Sequence, residues 1–376
     1  MFAPKYTITN RLLSNIKRVN TLINNLNSKR FPHIVFVELE RIAREVSSYA
    51  STSIEGNPLP LTEVKKILKS TPAHIRESEK EVLNYNQALG ELNKLLRDKS
   101  RSIPSDKFVH SFVSSSHQDA RYSRSLNKKL GQGSINFSLD LILSIHKQVM
   151  AGLLPDFETG SLRQKPVVVS NPRTGQAVYL PPDAKDVRKL ITGLTDFVKD
   201  NKNIIDLLIL AGIFHKQFVL IHPFLDGNGR TTRLATKVLL AEMGLNMFNL
   251  FSFENYYNKN VTRYFETVGE KGDYYDLVNQ IDFTDWLEYF TEGIIDELLR
   301  VQKILPKVAT SPSTELQKHH RKLLEFIKKK GFIKDSDYAK LVHRAKATRA
   351  LDFQKLIGMG LIKRRGKGRA TYYITQ

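Results

Sequence analysis

The sequence contains no cysteine, so neither a disulfide framework nor a thiolate metal site can form. Cysteine usage therefore does not indicate whether the protein resides in a reducing or an oxidising compartment. No apolar run is long enough to span a bilayer, and the first ten residues, M-F-A-P-K-Y-T-I-T-N, lack the hydrophobic core of a signal peptide. No internal repeat is present. These absences exclude a disulfide scaffold and a membrane span, and they predict a soluble cytoplasmic protein.

Acidic residues are scarce, with 38 Asp and Glu against 58 Lys and Arg, which gives a formal net charge of +20. Such an excess indicates an anionic partner. Residues 313–376 hold 17 Lys and Arg against 5 Asp and Glu, so most of the excess belongs to the C-terminal part. A length of 376 residues suggests two or three domains, and 41% hydrophobic residues suffice for true cores.

The most informative stretch is residues 221–234, which reads I-H-P-F-L-D-G-N-G-R-T-T-R-L. The apolar residues before it have helical spacing, and Pro223 ends that helix, so a loop begins at His222. Glycines at both ends of 227–229 permit unusual backbone angles, and residues 230–243 then resume an apolar helical period. The stretch is predicted to form a helix, a tight loop and a second helix.

This arrangement suits the phosphates of a nucleotide. A glycine loop that leads into a helix turns several backbone N–H groups towards one point and adds the positive end of the helix dipole. Gly227, Asn228 and Gly229 are therefore predicted to form an anion nest. Arg230 and Arg233 lie one turn apart on one helix face, where their planar donors suit the remaining oxygens of a di- or triphosphate.

Two further residues of the stretch carry chemistry. Asp226 is a hard oxygen ligand beside the nest, where a magnesium ion bridging phosphates would bind. His222 has a suitable pKa to take a proton from a hydroxyl nucleophile. Each feature alone also has an ordinary explanation, such as a helix stop, a turn or a solvated arginine. Their convergence favours a nucleotide site with a general base.

Residues 222–233 resemble the signature of the Fic family, H-P-F-x-[DE]-G-N-G-R-x-x-R, and every specified position matches. The resemblance implies ATP-dependent transfer of AMP to a protein hydroxyl. It implies His222 as the base, Asp226 on Mg²⁺, the glycine loop as the anion hole, and Arg230 and Arg233 on the terminal phosphates. These roles agree with those that the residue types suggest.

A second resemblance concerns Ser51-Thr-Ser-Ile-Glu55-Gly56, which follows an apolar helical stripe. It is similar to the family's inhibitory motif, [ST]-x-x-x-E-[GN], placed here N-terminal to the core. The motif implies that Glu55 forms a fork-to-fork ion pair with Arg233 where the γ-phosphate should bind, so that ATP binds unproductively. Without the signature, a helix end with an exposed glutamate would be the preferred explanation.

Residues 167–169 and 177–179 are predicted to form a β-hairpin turned by residues 171–175. In the Fic family such a hairpin is a flap over the active site. Its edge could bind an extended target segment through main-chain hydrogen bonds and bring a hydroxyl to His222. The alternative is an ordinary hairpin with no partner.

Residues 254–265 resemble the helix that lines the family's adenosine pocket. Asn260 is a candidate to bind an adenine or ribose edge, and Tyr257 is a candidate to stack on the base. An equally supported alternative is that Tyr257 and Phe265 belong to the core.

Residues 306–312 have linker composition, and the tail after them resembles a winged helix-turn-helix: three helices, then two strands about a glycine turn. Arg344, Lys346 and Arg349 could approach a major groove. Basic residues of the strand pair could lie on phosphates as a wing; these are Lys363, Arg364, Arg365, Lys367 and Arg369. The alternative is a protein docking module, since charge alone carries no sequence specificity.

The sequence thus predicts a mainly α fold, with a Fic-type helical core, a small β-hairpin flap and a C-terminal winged helix-turn-helix domain. Residues 1–134 form an N-terminal helical region with the inhibitory motif at 51–56, residues 135–305 the catalytic core, and residues 313–376 the winged helix. Residues 99–134, rich in serine and lysine, have the character of an insertion with no assigned function.

The predicted function is a protein adenylyltransferase that moves AMP from ATP to Ser, Thr or Tyr hydroxyls of target proteins and of itself, autoinhibited by Glu55 with Ser51. One alternative is a DNA-binding transcriptional regulator whose Fic core senses nucleotide. Another is a Fic enzyme that removes AMP or transfers another phosphate-bearing group. DNA could bind through residues 313–376, and the protein could form a homodimer. No membrane partner is predicted.

Overall fold

The computed structural model describes residues 2–29, 33–101, 137–170, 176–245, 247–309, 316–359 and 361–375. Most of the predicted insertion 99–134 and the whole predicted turn 171–175 lie outside these residues. The chain forms two compact units. The first comprises Met1–Lys29, Ile42–Ser102 and Gly133–Gln302, and the second comprises Arg30–Arg41, Ile103–Gln132 and Lys303–Gln376.

The described residues are mainly helical, which confirms the predicted fold class. The helices of the N-terminal and central parts are α1 Asn10–Asn27, α2 His33–Ile54, α3 Leu61–Lys69, α4 Glu77–Arg101, α5 Leu139–Val149, α6 Ala184–Asn201, α7 Leu207–Ile221, α8 Asn228–Leu240, α9 Glu254–Lys259, α10 Val261–Val268, α11 Tyr274–Leu277 and α12 Thr284–Ala309. None of the described helices combines the length and apolar character that a bilayer crossing requires.

Helix α7 is buried along almost its whole length, as its nearly uninterrupted apolar sequence requires. Asp206 caps its start by accepting a hydrogen bond from the Leu208 N–H. The helix ends at Ile221, and His222 takes a left-handed conformation with φ of 50°. The predicted start of the loop at His222 is confirmed. Full burial of each large apolar side chain contributes about 1.5–3 kcal/mol, so α7 is a rigid support for the loop.

Helix α8 begins two residues before the predicted position 230 and ends at Leu240. Gly227 has φ of 75°, which lets the chain turn so that the Thr231 N–H donates to the Gly227 carbonyl and starts the helix. Nearly all of α8 is buried, including its charged residues. Those charged side chains must therefore have partners inside the fold.

Helix α2 presents small buried residues to its neighbours near its C-terminal end, and these allow the side chains of α8 to reach its backbone. They are Ser47, Ser48, Ala50, Ser51 and Thr52. The helix ends at Ile54, and Gly56 follows with φ of 93°, a left-handed angle that suits glycine. Glu55 is therefore held at a defined helix end.

The strands near the site are short. β1 Val169–Ser170 pairs antiparallel with β2 Ala177–Leu180, as the hairpin prediction requires. The other edge of β2 pairs in parallel with β3 Gly272–Asp273, which the sequence did not indicate. Within the described part of the chain, the two edges of this sheet therefore belong to β1 and β3.

The second unit follows the predicted order of elements. It contains α13 Lys318–Lys330, α14 Asp335–Leu341 and α15 Lys346–Gly358, and then β4 Ile362–Arg365 and β5 Tyr372–Thr375, which pair antiparallel.

The predicted start of the linker at Pro306 is wrong, because α12 continues through that proline to Ala309. Proline removes one backbone hydrogen bond from a helix and its ring clashes with the preceding turn. Burial of apolar side chains of α12, such as Leu305, outweighs that penalty here. The rest of the predicted linker, residues 310–312, lies outside the described residues.

Candidate active site

His222 has a free imidazole nitrogen. Its Nδ1 lies 3.1 Å from the Val219 carbonyl oxygen, so Nδ1 carries the hydrogen and donates it, and Nε2 keeps its lone pair. Burial lowers the pKa of His222, while the hydrogen bond to Val219 and the charge of Glu55 act in the opposite direction. The side chain is thus a neutral base at neutral pH.

Arg163 holds the backbone around His222. Its Nε donates to the His222 carbonyl at 2.8 Å, its NH2 group to the Pro182 carbonyl, and its backbone N–H to the Pro223 carbonyl at 3.0 Å. The side chain is 2% exposed. Arg163 thereby satisfies carbonyls that the end of α7 leaves without helical partners, and it fixes the left-handed conformation of the histidine. The sequence showed this arginine after Gly160-Ser-Leu, but its role depends on contacts about 60 residues away.

The loop between His222 and α8 is closed by Asn228. Its side-chain oxygen accepts from the Phe224 N–H, and its amide donates to the Phe224 carbonyl, both at 2.9 Å. The Asn228 side chain therefore closes the loop rather than facing a ligand. The N–H groups of Asn228, Gly229 and Arg230 lie in the first turn of α8, where a helix offers them no intrahelical acceptor. These groups are compatible with the anion nest, which stays a prediction, whereas the Gly227 N–H donates to Asp226 Oδ1.

His146 supports the same loop from α5 and was not singled out from the sequence. Its ring stacks on Phe224 with centroids 3.7 Å apart. Its Nδ1 accepts from the Gly160 N–H, so its Nε2 carries the hydrogen and donates to the Asp226 carbonyl at 3.0 Å. Burial lowers the pKa of His146 to about 4, so the ring is neutral and both hydrogen bonds persist at neutral pH.

Arg230 lies between two carboxylates. Its NH2 group donates to both oxygens of Asp226 at 3.1 Å, and its NH1 nitrogen lies 3.2 Å from Glu81 Oε1 on α4. The residue is only 2% exposed. The prediction that Arg230 presents its guanidinium to phosphate is not met in this conformation, because both carboxylates hold it inside the fold. Asp226 by contrast has a side chain 57% exposed, beside the glycine loop.

Arg233 is fully buried and bound to the end of α2. Its Nε donates to Ser51 Oγ and its NH2 group to the Ser51 carbonyl, both at 2.8 Å; NH2 also donates to Glu55 Oε1 at 2.7 Å. Burial alone would lower the pKa of Arg233, but Glu55 raises it above its usual value. The expected contact of Glu55 with Arg233 is present, and the contacts of Ser51 with Arg233 are additional. The pair is not fork-to-fork, because Glu55 accepts only from NH2, while Ser51 accepts from Nε and from NH2.

Glu55 also covers the glycine loop. A Cβ atom built on Gly229 would lie 2.1 Å from Glu55 Oε1, so the carboxylate packs directly against that glycine. Only glycine tolerates this approach. The Glu55 carboxylate therefore stands at the nest and on Arg233 at once, where a phosphate would have to bind.

A hydrogen-bond chain supports Arg233 from behind. Thr236 donates its hydroxyl to the Thr232 carbonyl, so it accepts from Nδ1 of His215, and Nε2 of His215 then accepts from the Tyr264 hydroxyl. The Tyr264 oxygen in turn lies 3.5 Å from Arg233 NH1. Burial lowers the pKa of His215 far below its usual value and raises the pKa of Tyr264 to about 12, so both stay neutral. No pattern in the sequence indicated these hydrogen bonds.

The expected adenosine contacts are not placed at the site. Tyr257 is fully buried and its hydroxyl donates to the Phe290 carbonyl, so its assignment as a stacking residue for adenine is wrong in this conformation. Its ring packs among aromatic neighbours, which are Phe253, Tyr256, Tyr264, Trp286 and Tyr289. Asn260 is exposed and caps α10 by accepting from the Arg263 N–H. Capping accounts for its position without a ligand.

Among the described residues, one group has the composition of a metal site: His319, His320 and Asp352 in the second unit. Nδ1 of His320 accepts from the Gln317 N–H, so its Nε2 carries a hydrogen and faces Asp352 at 3.2 Å. Asp352 also accepts from Tyr338 at 2.9 Å. The donors around Asp352 identify the group as an internal hydrogen-bond network.

Residues 136–240 match the Fic/DOC family. The chain is 27% identical over 265 residues to the protein adenylyltransferase Fic of Nematostella vectensis, covering 69% of this chain and 49% of that protein. It is 28% identical over 213 residues to the protein adenylyltransferase fic-1 of Caenorhabditis elegans, covering 55% and 34%. The chain thus spans half or less of the length of these curated relatives.

The fold is similar to that of a Fic family protein from Desulfovibrio desulfuricans, with a TM-score of 0.62 at 19% identity over 100% of this chain and 98% of that one. At this identity the likeness concerns the fold alone, and it agrees with the predicted Fic-type helical fold.

Proposed function

We propose that this protein transfers AMP from ATP to a hydroxyl group of a protein. The hydroxyl oxygen attacks the α-phosphorus, the bond from that phosphorus to the bridging oxygen of the β-phosphate breaks, and pyrophosphate leaves. The hydroxyl proton passes to Nε2 of His222. The observation that carries the proposal is a neutral histidine with a free Nε2, five residues before a glycine nest that a buried arginine adjoins. Similarity to adenylyltransferases supports it.

The test uses ATP labelled at one phosphate at a time, with the Glu55→Gly variant and candidate protein substrates. Label from the α-phosphate should remain on protein after denaturation, and label from the γ-phosphate should not. Mass spectrometry should place AMP on Ser, Thr or Tyr, including residues of the enzyme itself. Protein labelling from the γ-phosphate alone would instead indicate phosphoryl transfer and refute the proposal.

Asp226 is the residue we assign to Mg²⁺. Its carboxylate is exposed beside the nest, and magnesium is commonly bound by one or two carboxylates together with substrate phosphates, so the site fits the ion. A bound ion would neutralise phosphate charge. In this structure Arg230 donates to both oxygens of Asp226.

Asp226→Ala should raise the magnesium concentration needed for half-maximal rate by at least about tenfold, the lower end of the loss seen when even an outer metal partner is removed. The measurement is AMP transfer against MgCl₂ in the Glu55→Gly background. Asp156→Ala, which removes another exposed carboxylate, is the matched control. An unchanged magnesium response in Asp226→Ala would exclude Asp226 as the ligand.

We propose that the end of α2 inhibits this activity. Glu55 occupies the approach to Gly229 and one donor of Arg233, and Ser51 occupies two more. A triphosphate that used the same donors would have to displace Glu55. The target protein would bind along the open edge of β1 by main-chain pairing, which places few demands on its sequence.

A second candidate function is binding of DNA by residues 313–376. The observation that favours it is the exposed basic surface of the strand pair, where Arg364, Arg365 and Lys367 face solvent. Two of the residues predicted to enter a groove are less available: Arg349 bonds both oxygens of Asp335, and Arg344 bonds Asp352. The surface therefore suits phosphate binding better than base reading.

Replacing Arg364, Arg365 and Lys367 together by alanine should weaken binding of duplex DNA. A plot of the logarithm of the binding constant against the logarithm of the salt concentration has a negative slope. The magnitude of that slope should fall by about 3, one unit for each lost phosphate contact. Fluorescence anisotropy at several salt concentrations measures this. The matched control removes three exposed lysines of α3: Lys65, Lys66 and Lys69. Equal losses in both variants, or no binding by the native protein, would contradict the assignment.

A further inference from the structure

A buried ion pair lies one turn beyond Arg233 on α8. Lys237 is 3% exposed, and its Nζ donates to the Ser47 hydroxyl and to the Phe251 carbonyl, both at 2.9 Å. The same Nζ lies 3.2 Å from an oxygen of Glu254, which is completely buried. No step of the proposed reaction uses this pair. A buried charge pair is costly to desolvate and persists only where hydrogen bonds complete it, so its partners need an explanation.

The partners come from two other helices. The Tyr85 hydroxyl of α4 donates to Glu254 at 2.7 Å, and Ser47 Oγ of α2 lies 3.2 Å from the second Glu254 oxygen. Ser47 Oγ also lies 2.9 Å from Ser252 Oγ. Burial, and then the charge of Glu254, raise the pKa of Tyr85 well above its usual value, so the phenol remains a donor. One ion pair therefore fastens α2 and α4 to α8 and to the start of α9.

The spacing relates this cluster to the inhibitory contact. Ser47 and Ser51 lie four residues apart on α2, and Arg233 and Lys237 lie four residues apart on α8. The two helices thus meet in two successive contacts on the same faces. In the first, Arg233 binds Ser51 and Glu55; in the second, Lys237 binds Ser47. A phosphate that reaches Arg233 competes only with the first.

We propose that the Lys237–Glu254 ion pair, with Ser47 and Tyr85, is an anchor that holds α2 in the inhibitory position and so sets how readily Glu55 leaves Arg233. The inference rests on the proposed function. Ser47 and Tyr85 are positioning residues: they touch neither the nest nor His222 and act through the placement of Glu55. Weakening the anchor lets α2 leave more often and therefore raises activity, whereas weakening an ordinary structural contact does not.

The test replaces Ser47 by alanine and Tyr85 by phenylalanine, separately, because each change removes one hydroxyl and leaves the ion pair intact. Ser48→Ala is the matched control: Ser48 is the next residue of α2, equally buried, and its Oγ has no hydrogen-bond partner among the described residues. AMP transfer should rise up to about tenfold in Ser47→Ala and Tyr85→Phe, because the net free energy of one hydrogen bond changes an equilibrium by up to about that factor. The rate of Ser48→Ala should stay at the native value.

Two further measurements test whether the gain in activity comes from a loosened α2. Amide hydrogen exchange should be faster in residues 42–54 of Ser47→Ala and Tyr85→Phe than in Ser48→Ala, with α7 unchanged. Adding Tyr85→Phe to Glu55→Gly should give no further gain, since the inhibitory contact is already absent. Native rates in both hydroxyl variants, beside a clear gain in Glu55→Gly, would overturn the anchor while leaving the proposed function standing. No gain in Glu55→Gly would overturn the anchor together with the inhibitory role of Glu55, whereas failure of the proposed function would appear as no transfer of the α-phosphate label by either protein.

Discussion

Replacing Glu55 by glycine is expected to raise AMP transfer by roughly 10- to 100-fold. The change removes a charge-assisted hydrogen bond from Arg233 and frees the space over Gly229, and such a bond contributes about 1.5–3 kcal/mol. The measurement is the initial rate with saturating magnesium and ATP, on native and variant protein of equal thermal stability. Self-modification should rise in parallel.

Two companion variants separate charge from volume in this prediction. Glu55→Gln keeps the size of the side chain without its charge, so its rate should lie between those of the native protein and Glu55→Gly. Arg233→Ala added to Glu55→Gly should return activity to a low level, because the triphosphate then loses the guanidinium that Glu55 had occupied. A rate for folded Glu55→Gly no higher than the native rate would refute the inhibitory role and leave residues 51–56 as a helix end.

Replacing His222 by alanine is expected to lower the rate of AMP transfer by roughly 100- to 10,000-fold, the usual contribution of a positioned general base. The effect should be measured in the Glu55→Gly background, where the starting rate is high. ATP affinity should change little, because the backbone nest and Arg233 do not depend on the imidazole. His74→Ala, which removes an exposed histidine, is the control. Undiminished transfer by His222→Ala would remove it from the mechanism.

The pH dependence follows from the direction of the pKa shift. The imidazole accepts a proton only when neutral, so the rate falls as pH drops through the pKa of His222. Burial lowers that pKa below 6.5, so activity should persist in mildly acidic buffer and decline at a more acidic pH than an exposed histidine would give. Glu55 raises the same pKa, so its removal should move the decline to still lower pH. A decline centred above pH 6.5 would contradict this.

The chemical parts of the site could be read from the sequence because they lie in one short stretch. A loop that begins at His222, a carboxylate at Asp226 and a glycine nest at the start of a helix all depend on local backbone preferences. Arg233 follows at a helical interval. Glu55, with Ser51, was identified through the resemblance to the inhibitory motif of the Fic family; without it, an exposed glutamate at a helix end would be the preferred explanation. The structure brings these two to Arg233.

The wrong assignments share a cause, which is that residue type and spacing do not determine burial. Tyr257 has the chemistry to stack on adenine, yet the surrounding aromatic side chains enclose it. Arg230 has the donors for phosphate, yet Glu81 from another helix holds it. Glu81 precedes Arg230 by 149 residues, and Phe290, whose carbonyl accepts from the Tyr257 hydroxyl, follows Tyr257 by 33 residues.

The sequence by itself therefore determined the mainly helical class and the helix-loop-helix motif, because both arise from neighbours within a few turns. His222 as the base, Asp226 as the metal ligand and Glu55 as the inhibitory residue stay predictions. Only the tertiary structure decided which nitrogen of His222 is free, how Arg163 and His146 hold the loop, and which donors of Arg233 remain. Hydrogen-bond direction and burial are set by groups that folding brings together from distant parts of the chain, and no local pattern encodes those partners.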